Sequence, residues 1–433
     1  MLKRKFLQTL LDWKNTKGKE CLLVKGARQI GKTYIIDKFG RENYGNYIYV
    51  NFFTEPKLKD VFEGSLAAEE IYKRLSVFFR DAHFVENDTL IFLDEIQECP
   101  NARTALKFLA IDGRFDVIAS GSLLGINYKQ VSSIPVGYER QVEMHSLDFE
   151  EFLWAIGVGA QTIDYLRSFF ESKEKIPPAV NEQMLSYMRE YMIVGGMPEV
   201  VNTYLSTKHY GEVHNAQKKI TDAYLEDIAK YASTSEKPKA RNCFLSIPRQ
   251  LAKENKKFQF SVVESGGRAR KYENSLEWLR DANLIRYCNN VSTPQLPLVA
   301  YVKTDQFKIY LNDIGLLVSM YGFEMKQAIL TGALKGAAKG GIYENLIADI
   351  LIKKGLPLYY YKNDSNSQEI EFLLTVETEI VPVEVKSSNG STISLNNFLK
   401  EFEPSIGYKF IAGNIGVADN KVTLPLYMAM FIC

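Results

Sequence analysis

Cysteine is scarce in this sequence and never paired. Cys21, Cys99, Cys243, Cys288 and Cys433 are its five cysteines, scattered and without a CxxC spacing. That pattern fits reduced thiols in the cytoplasm and argues against a structural zinc site. Only four histidines are present, too few for an imidazole-rich metal centre. No apolar run reaches the roughly 18 residues of a membrane-spanning helix, so no membrane partner is expected. There is no internal repeat and no low-complexity tract. An excess of one charge is also missing. The 53 Lys and Arg nearly balance 52 Asp and Glu, for a net charge of +1, so attraction to nucleic acid would have to come from a local surface. The N-terminus, MLKRKFLQTLLDWKN, is basic and then apolar but lacks a small-residue cleavage site. Its Leu2, Phe6, Leu10 and Trp13 recur at helical spacing, as in an amphipathic helix rather than a signal peptide.

What is present suffices for several packed domains. Of 433 residues, 46% are hydrophobic and 24% charged, a composition that excludes disorder. Residues 1–150 alternate strand-like runs (CLLVKG, YIYVNFF, TLIFLDE, FDVIASGS) with helical patterns (GKTYIIDKFG, AAEEIYKRLSVFFRDA). That alternation predicts an α/β fold with a mostly parallel sheet covered by helices. From residue 148 the pattern turns helical, in DFEEFLWAI and NEQMLSYMREYMIVGGMPEVV, with a break or hinge at Gly195, Gly196 and Pro198. Residues 236–286 hold twelve Lys and Arg against six Asp and Glu. KGAAKGGIYEN, at 335–345, reads as a linker into a final α/β unit. The expected division is 1–155 for the first α/β domain, 156–235 for a helical lid or linker, 236–332 for a helix-rich domain ending in a hairpin, and 333–433 for the last domain.

The sequence Gly26-Ala27-Arg28-Gln29-Ile30-Gly31-Lys32-Thr33 matches GxxxxGK[ST] in full. A strand feeds a loop whose glycines let backbone N–H groups approach phosphate oxygens, and a helix then opens with its positive end toward the anion. In this chemistry Lys32 reaches the β- and γ-phosphates of ATP and Thr33 holds Mg²⁺. Downstream, LIFLDE ends a buried-type strand in two acids: Asp94, for the magnesium, and Glu95, to orient the attacking water. Ser120 and Ser122, where the next strand ends, are both candidates to contact the γ-phosphate or the water. Arg140 is an arginine finger or a surface arginine, and Arg28 faces phosphate or a neighbouring acid.

These residues resemble the AAA-type P-loop ATPases. GARQIGKT, IFLDEIQ, ASGSLLG, DFEEFL, IVGGMPEVV, KIYLNDIGLL, IYEN and VEVKS are similar to the AAA-domain proteins with a C-terminal DUF4143 domain, across nearly the whole chain. The resemblance implies a sheet in the order 5-1-4-3-2, and oligomerisation is left open.

Residues 240–312 read as three helices (Arg241–Lys253, Phe258–Glu264, Tyr272–Ala282) and a hairpin (Leu284–Cys288, Phe307–Leu311). That is the order of a winged helix, with Arg268, Arg270 and Lys271 before the helix that would enter a DNA groove. DNA and a protein surface are the alternative partners.

In the final unit, residues i and i+2 of a strand share a face. VPVEVK therefore sets Val381, Val383 and Val385 against Glu384 and Lys386. The preceding strand sets Ile370, Phe372 and Leu374 against Glu369 and Glu371. Glu344 falls in line with Ile347 and Leu351 on an apolar helix stripe, where a carboxylate needs a cation or a metal. Together these residues resemble the PD-(D/E)xK nuclease core, a helix followed by a mixed sheet. The resemblance implies Glu371 and Glu384 as ligands of Mg²⁺ or Mn²⁺, joined by the carbonyl of Val385, with Lys386 as catalytic lysine and Glu344 as the supporting helix acid. The first acid of that pattern is usually Asp, and here it is Glu371. The alternative is a set of ion pairs among Glu344, Glu384 and Lys386 that fastens helix to sheet.

The resulting expectation is an ATPase whose nucleotide state controls a DNA-binding winged helix and a metal-dependent nuclease-like module. The alternative is a nucleotide-dependent switch that binds DNA or protein and cuts nothing. An intact Glu95 speaks against a regulator without hydrolysis.

Overall fold

The computed structural model describes residues 2–16, 18–80, 83–122, 137–363, 368–387 and 392–432. The end of the ASGSLLG segment, at 123–125, and Cys433 lie outside the described residues. The chain divides into two compact units. One is Arg4–Ser146 with Asp281–Asn283, and the other is Met1–Lys3, Leu147–Arg280 and Leu284–Cys433.

The first unit opens with α1 (Phe6–Lys14), which buries Leu10 and Trp13. It then alternates β1 (Cys21–Lys25), α2 (Lys32–Asn43), β2 (Asn46–Asn51), α3 (Ala68–Phe78), β3 (Thr89–Asp94), α4 (Pro100–Asp112), β4 (Asp116–Gly121) and β5 (Glu139–Glu143). The sheet order is β2-β3-β4-β1-β5 with every pairing parallel, the 5-1-4-3-2 order that the resemblance implied. β3 is buried along its whole length, as a central parallel strand covered on both faces must be. On one face Leu23, Val50, Ile91, Leu93 and Val117 form a core with Ile71, Leu75, Leu106 and Leu109. Each such side chain contributes about 1.5–3 kcal/mol by leaving water.

The second unit begins with helices: α5 (Phe149–Ala155), α6 (Ala160–Ser172), α7 (Pro178–Val194), α8 (Pro198–Thr207), α9 (Tyr210–Tyr231), α10 (Lys237–Leu251), α11 (Phe260–Val263) and α12 (Ala269–Asp281). β6 (Ile285–Val291) and β7 (Val302–Leu311) follow, then α13 (Ile314–Met320), α14 (Phe323–Leu330) and α15 (Gly336–Lys353). β8 (Tyr359–Lys362), β9 (Glu369–Val376), β10 (Glu379–Val385), α16 (Ile393–Phe402), β11 (Gly407–Ile411), β12 (Gly416–Ala418) and β13 (Lys421–Pro425) complete it. The eight-stranded sheet runs β12-β13-β11-β10-β9-β8-β6-β7 and is mixed: β10 pairs antiparallel with β9 and parallel with β11. The hairpin β6–β7, expected within a domain ending at 332, is joined through β8 to the strands of the last domain.

The expected linker at 335–345 is instead the start of α15. One of its glycines, Gly341, serves close packing rather than flexibility. A Cβ at Gly341 would stand 2.1 Å from the carbonyl oxygen of Leu251 on α10. Asn345 then takes over the ladder beyond β7, accepting from the Leu311 N–H at 2.8 Å and donating to the Leu311 carbonyl at 3.3 Å. The break after α7 is similarly tight. A Cβ at Gly196 would meet the Leu147 carbonyl oxygen at 2.0 Å. Leu147 donates to the Gly196 carbonyl at 2.7 Å and accepts from the Tyr191 hydroxyl at 2.8 Å and Lys353 Nζ at 3.0 Å.

Candidate functional sites

In the first unit the loop after β1 takes the shape its glycines allow. Gly26 has φ 147°, and its missing Cβ would lie 2.3 Å from the Met144 carbonyl oxygen. Gly31, at φ 90°, is the N-cap of α2. No side chain caps that helix and no acid stands in its first turn, so its leading N–H groups suit an anion. Ala27 and Ile30 are buried, while Arg28 and Gln29 are exposed. Lys32 is buried and donates Nζ to the carbonyls of Gly26 at 3.0 Å and Ala27 at 2.8 Å. Burial lowers its pKa to about 8, against the pull of Glu95 and Asp94.

Thr33 Oγ1 donates to Asp94 Oδ2 at 2.9 Å, which brings the loop to the end of β3. Asp94 is only 2% exposed. It also accepts from the Tyr49 hydroxyl at 3.0 Å, Asn51 Nδ2 at 3.3 Å, the Glu95 N–H at 3.1 Å and the Ser120 hydroxyl. Tyr49 and Asn51 were not singled out from the sequence. The signal lay in YIYVN, since Asn51 pairs in register with Asp94. Asn51 Oδ1 also accepts from the N–H groups of Phe53 at 3.0 Å and Thr54 at 2.9 Å, so one amide ties the Asp94 carboxylate to the turn after β2. Glu95 sits in the left-handed region at φ 53°, a strain of order 1–3 kcal/mol at the residue that follows Asp94. Its pKa is raised, chiefly by burial, and its carboxylate accepts from Gln97. Of the two serines, Ser120 meets Asp94, and Ser122 is buried just past β4. Arg140 is exposed on β5 opposite Leu22, about 13 Å along β1 from the loop, so it does not join this cluster.

In the second unit Lys386 Nζ lies 2.9 Å from Glu371 Oε1 and 3.1 Å from Glu384 Oε1. Both carboxylates are buried, and Oε2 of each has no hydrogen-bond partner. Burial pushes Glu371 up to about 7, against the opposing charge of Lys386, and raises Glu384 for the same reason. Burial works against the Lys386 charge, but Glu371 and Glu384 outweigh it and hold the ammonium well above its ordinary range. Lys409, also buried, stands beside Glu384 in the β10–β11 register. Orphaned buried carboxylate oxygens fit a bound cation. Among the described residues no group of three or more His, Cys, Asp or Glu is placed to hold a metal, so such a cation would rest on these two acids and the Val385 carbonyl.

Glu344 has direct partners of its own, although its charge is near enough to raise Glu371 further. It contacts Lys256 Nζ at 2.9 Å and Lys308 Nζ at 3.5 Å, and accepts from the Tyr310 hydroxyl at 3.1 Å. Lys308, 1% exposed, also reaches Glu369 at 2.7 Å, and Lys362 holds Glu369 at 2.9 Å. Helix and sheet are thus fastened by ion pairs, but the partners of Glu344 are Lys256 and Lys308 rather than Lys386.

Helices α10 to α12 and the hairpin β6–β7 follow in the order read from the sequence. α12 buries Tyr272, Leu276 and Leu279 and exposes Arg270, Lys271, Glu273, Asn274, Glu277 and Arg280. Lys271 pairs with Glu264, and Arg280 with Glu277 at 2.8 Å. Part of the local basic excess is therefore neutralised.

Comparison with known proteins matches residues 18–153 to a family model described as an AAA domain, 185–327 to a domain of unknown function (DUF8612), and 339–428 to a domain of unknown function (DUF4143). No curated protein matches. Among solved structures, the Walker-type ATPase PABY2304 of Pyrococcus abyssi is similar at 14% identity, with 74% of this chain and 96% of that one covered and a TM-score of 0.43. The Aeropyrum pernix Orc1 protein in complex with DNA is similar at 14% identity, with 76% and 95% covered and a TM-score of 0.32. AMPPCP-bound DnaA from Aquifex aeolicus is similar at 13% identity, with 64% and 85% covered and a TM-score of 0.28. No described helix is long and apolar enough to cross a membrane.

Proposed function

The chain is an AAA-domain protein with a C-terminal DUF4143 domain, and we propose that it binds and hydrolyses Mg-ATP to control the second unit. One observation carries the reading: Thr33 at the head of α2 meets Asp94 at the end of β3, 2.9 Å apart, behind a loop whose helix N-terminus is uncapped. Lys32 and the N–H groups of the loop bind the phosphates, Thr33 and Asp94 hold Mg²⁺, and Glu95 orients water and takes its proton. The magnesium that Thr33 and Asp94 would hold would supply positive charge to offset what develops on the phosphates during transfer. The raised pKa of Glu95 makes it a better base than an exposed carboxylate. Glu95→Gln is expected to keep nucleotide affinity and lose hydrolysis by about 10²–10⁴-fold. Loss of binding together with turnover would remove Glu95 from this role.

For the second unit we propose a divalent-cation site on Glu371 and Glu384 with Lys386 beside it, and nucleic acid as the ligand of the basic α10–α12 segment. Lys386 positions a nucleophile or offsets charge there. Incubation with Mn²⁺ and plasmid is expected to give nicks that Lys386→Ala abolishes. A second reading, a nucleotide switch that cuts nothing, is favoured by the capture of Glu344 by Lys256 and Lys308, and the absence of nicks at any metal concentration would select it.

A further inference from the structure

We infer that Arg4 is a positioning residue for the nucleotide site, holding the phosphate loop through two backbone carbonyls. Its Nη1 donates to the Ile30 carbonyl at 3.0 Å and its Nη2 to the His145 carbonyl at 2.5 Å. Ile30 immediately precedes Gly31, the left-handed N-cap of α2, and shares a peptide plane with its amide. Fixing the Ile30 carbonyl therefore fixes the direction of the next N–H, at the point where the loop turns into the helix.

The other end of the bridge lies in the stretch that closes the loop from behind. Met144 donates its N–H to the Lys25 carbonyl at 2.8 Å, and its own carbonyl oxygen lies 2.3 Å from where a Gly26 Cβ would stand. The first residue of the loop is thus packed on Met144 and its fifth is tied through Arg4 to His145. A planar guanidinium can donate to two separate acceptors from one rigid fork, whereas an ammonium offers no such fixed geometry. Arg4 acts through Ile30 and is not a catalytic residue.

This rests on the nucleotide-binding reading, and the test separates the two. Full-length protein is titrated with a fluorescent ATP analogue and Mg²⁺, and its melting temperature without nucleotide is recorded, for wild type, Arg4→Ala, Arg4→Lys and Arg4→Ala with millimolar guanidinium ion. Arg4→Ala is expected to weaken binding roughly ten- to hundredfold, the loss of charge-assisted hydrogen bonds. Its nucleotide-free melting temperature should stay near wild type, Arg4→Lys should recover only part of the affinity, and guanidinium should restore part of it. Wild-type affinity in Arg4→Ala overturns the inference while leaving the ATP reading intact. Full recovery by Arg4→Lys with no effect of guanidinium also overturns it, because charge alone would then suffice. If Arg4→Ala fails to fold, Arg4→Gln and Arg4→Lys make the same comparison. If wild type takes up no nucleotide, both readings fall.

Discussion

Raising the pH from 5 to 8 in the presence of a chelator should weaken the protein through Glu371. The residue is 8% exposed, and burial lifts its carboxyl from the ordinary 4.5 to about 7, with Lys386 and Lys308 opposing and Glu344 and Glu384 adding repulsion. The folded state therefore keeps a proton that the unfolded chain has already lost between those two values. Stability from this group is full below about pH 4.5 and gone once the pH passes through about 7. At about 1.4 kcal/mol per unit the loss is on the order of 3 kcal/mol, a large part of an ordinary domain's margin. Glu384 shifts in the same direction and adds to it. The perturbation that isolates Glu371 is Glu371→Gln, which keeps the shape and cannot ionise. Urea melts in EDTA at pH 5 and pH 8 should show the variant close to wild type at pH 5 and more stable at pH 8. A variant less stable than wild type at pH 8 would refute the reasoning, because Lys386 would then stabilise the ionised acid by more than burial costs.

Two further outcomes test other parts of the second unit. Glu344→Ala should destabilise it by about 3–5 kcal/mol, because Lys308 and Lys256 lose a shared buried partner; a variant with unchanged urea midpoint and lost nicking would instead make Glu344 part of the chemistry. Gly341→Ala should lower the urea midpoint by the equivalent of about 1–3 kcal/mol, since the new methyl would press on the Leu251 carbonyl, and an unchanged midpoint would show that α10 and α15 are not closely packed there.

Much of the first unit could be read from the chain because short-range rules govern it. The strand–loop–helix around Gly26–Thr33 and the two acids ending β3 are local patterns, and the structure brings Thr33, Asp94 and Ser120 together. Tyr49 and Asn51 escaped because their role depends on the register between β2 and β3, which strand composition does not specify. The second unit was less legible for a related reason. Gly341 looks like a linker residue in isolation, and only the proximity of α10 shows why a side chain is excluded there. Alternation along β9 and β10 put Glu369 with Glu371 and Glu384 with Lys386, and the resemblance to the nuclease core singled out Glu371, Glu384 and Lys386, which the structure brings together. The partners of Glu344 followed from neither, because Lys256, in the loop after α10, and Lys308, on β7, lie 88 and 36 residues upstream of it. Long-range pairing of buried charges leaves no periodic trace in a single sequence.

The proposed function requires the loop from Gly26 to Thr33 to grip a nucleoside triphosphate with its magnesium. The most direct measurement is a titration of wild type and Lys32→Ala with labelled ATP in Mg²⁺, alongside a thermal melt of each to show that both are folded. Saturable uptake by wild type with one site per chain, abolished in a folded Lys32→Ala, is the expected result. No saturable uptake by folded wild type, or equal uptake by both proteins, would contradict the account.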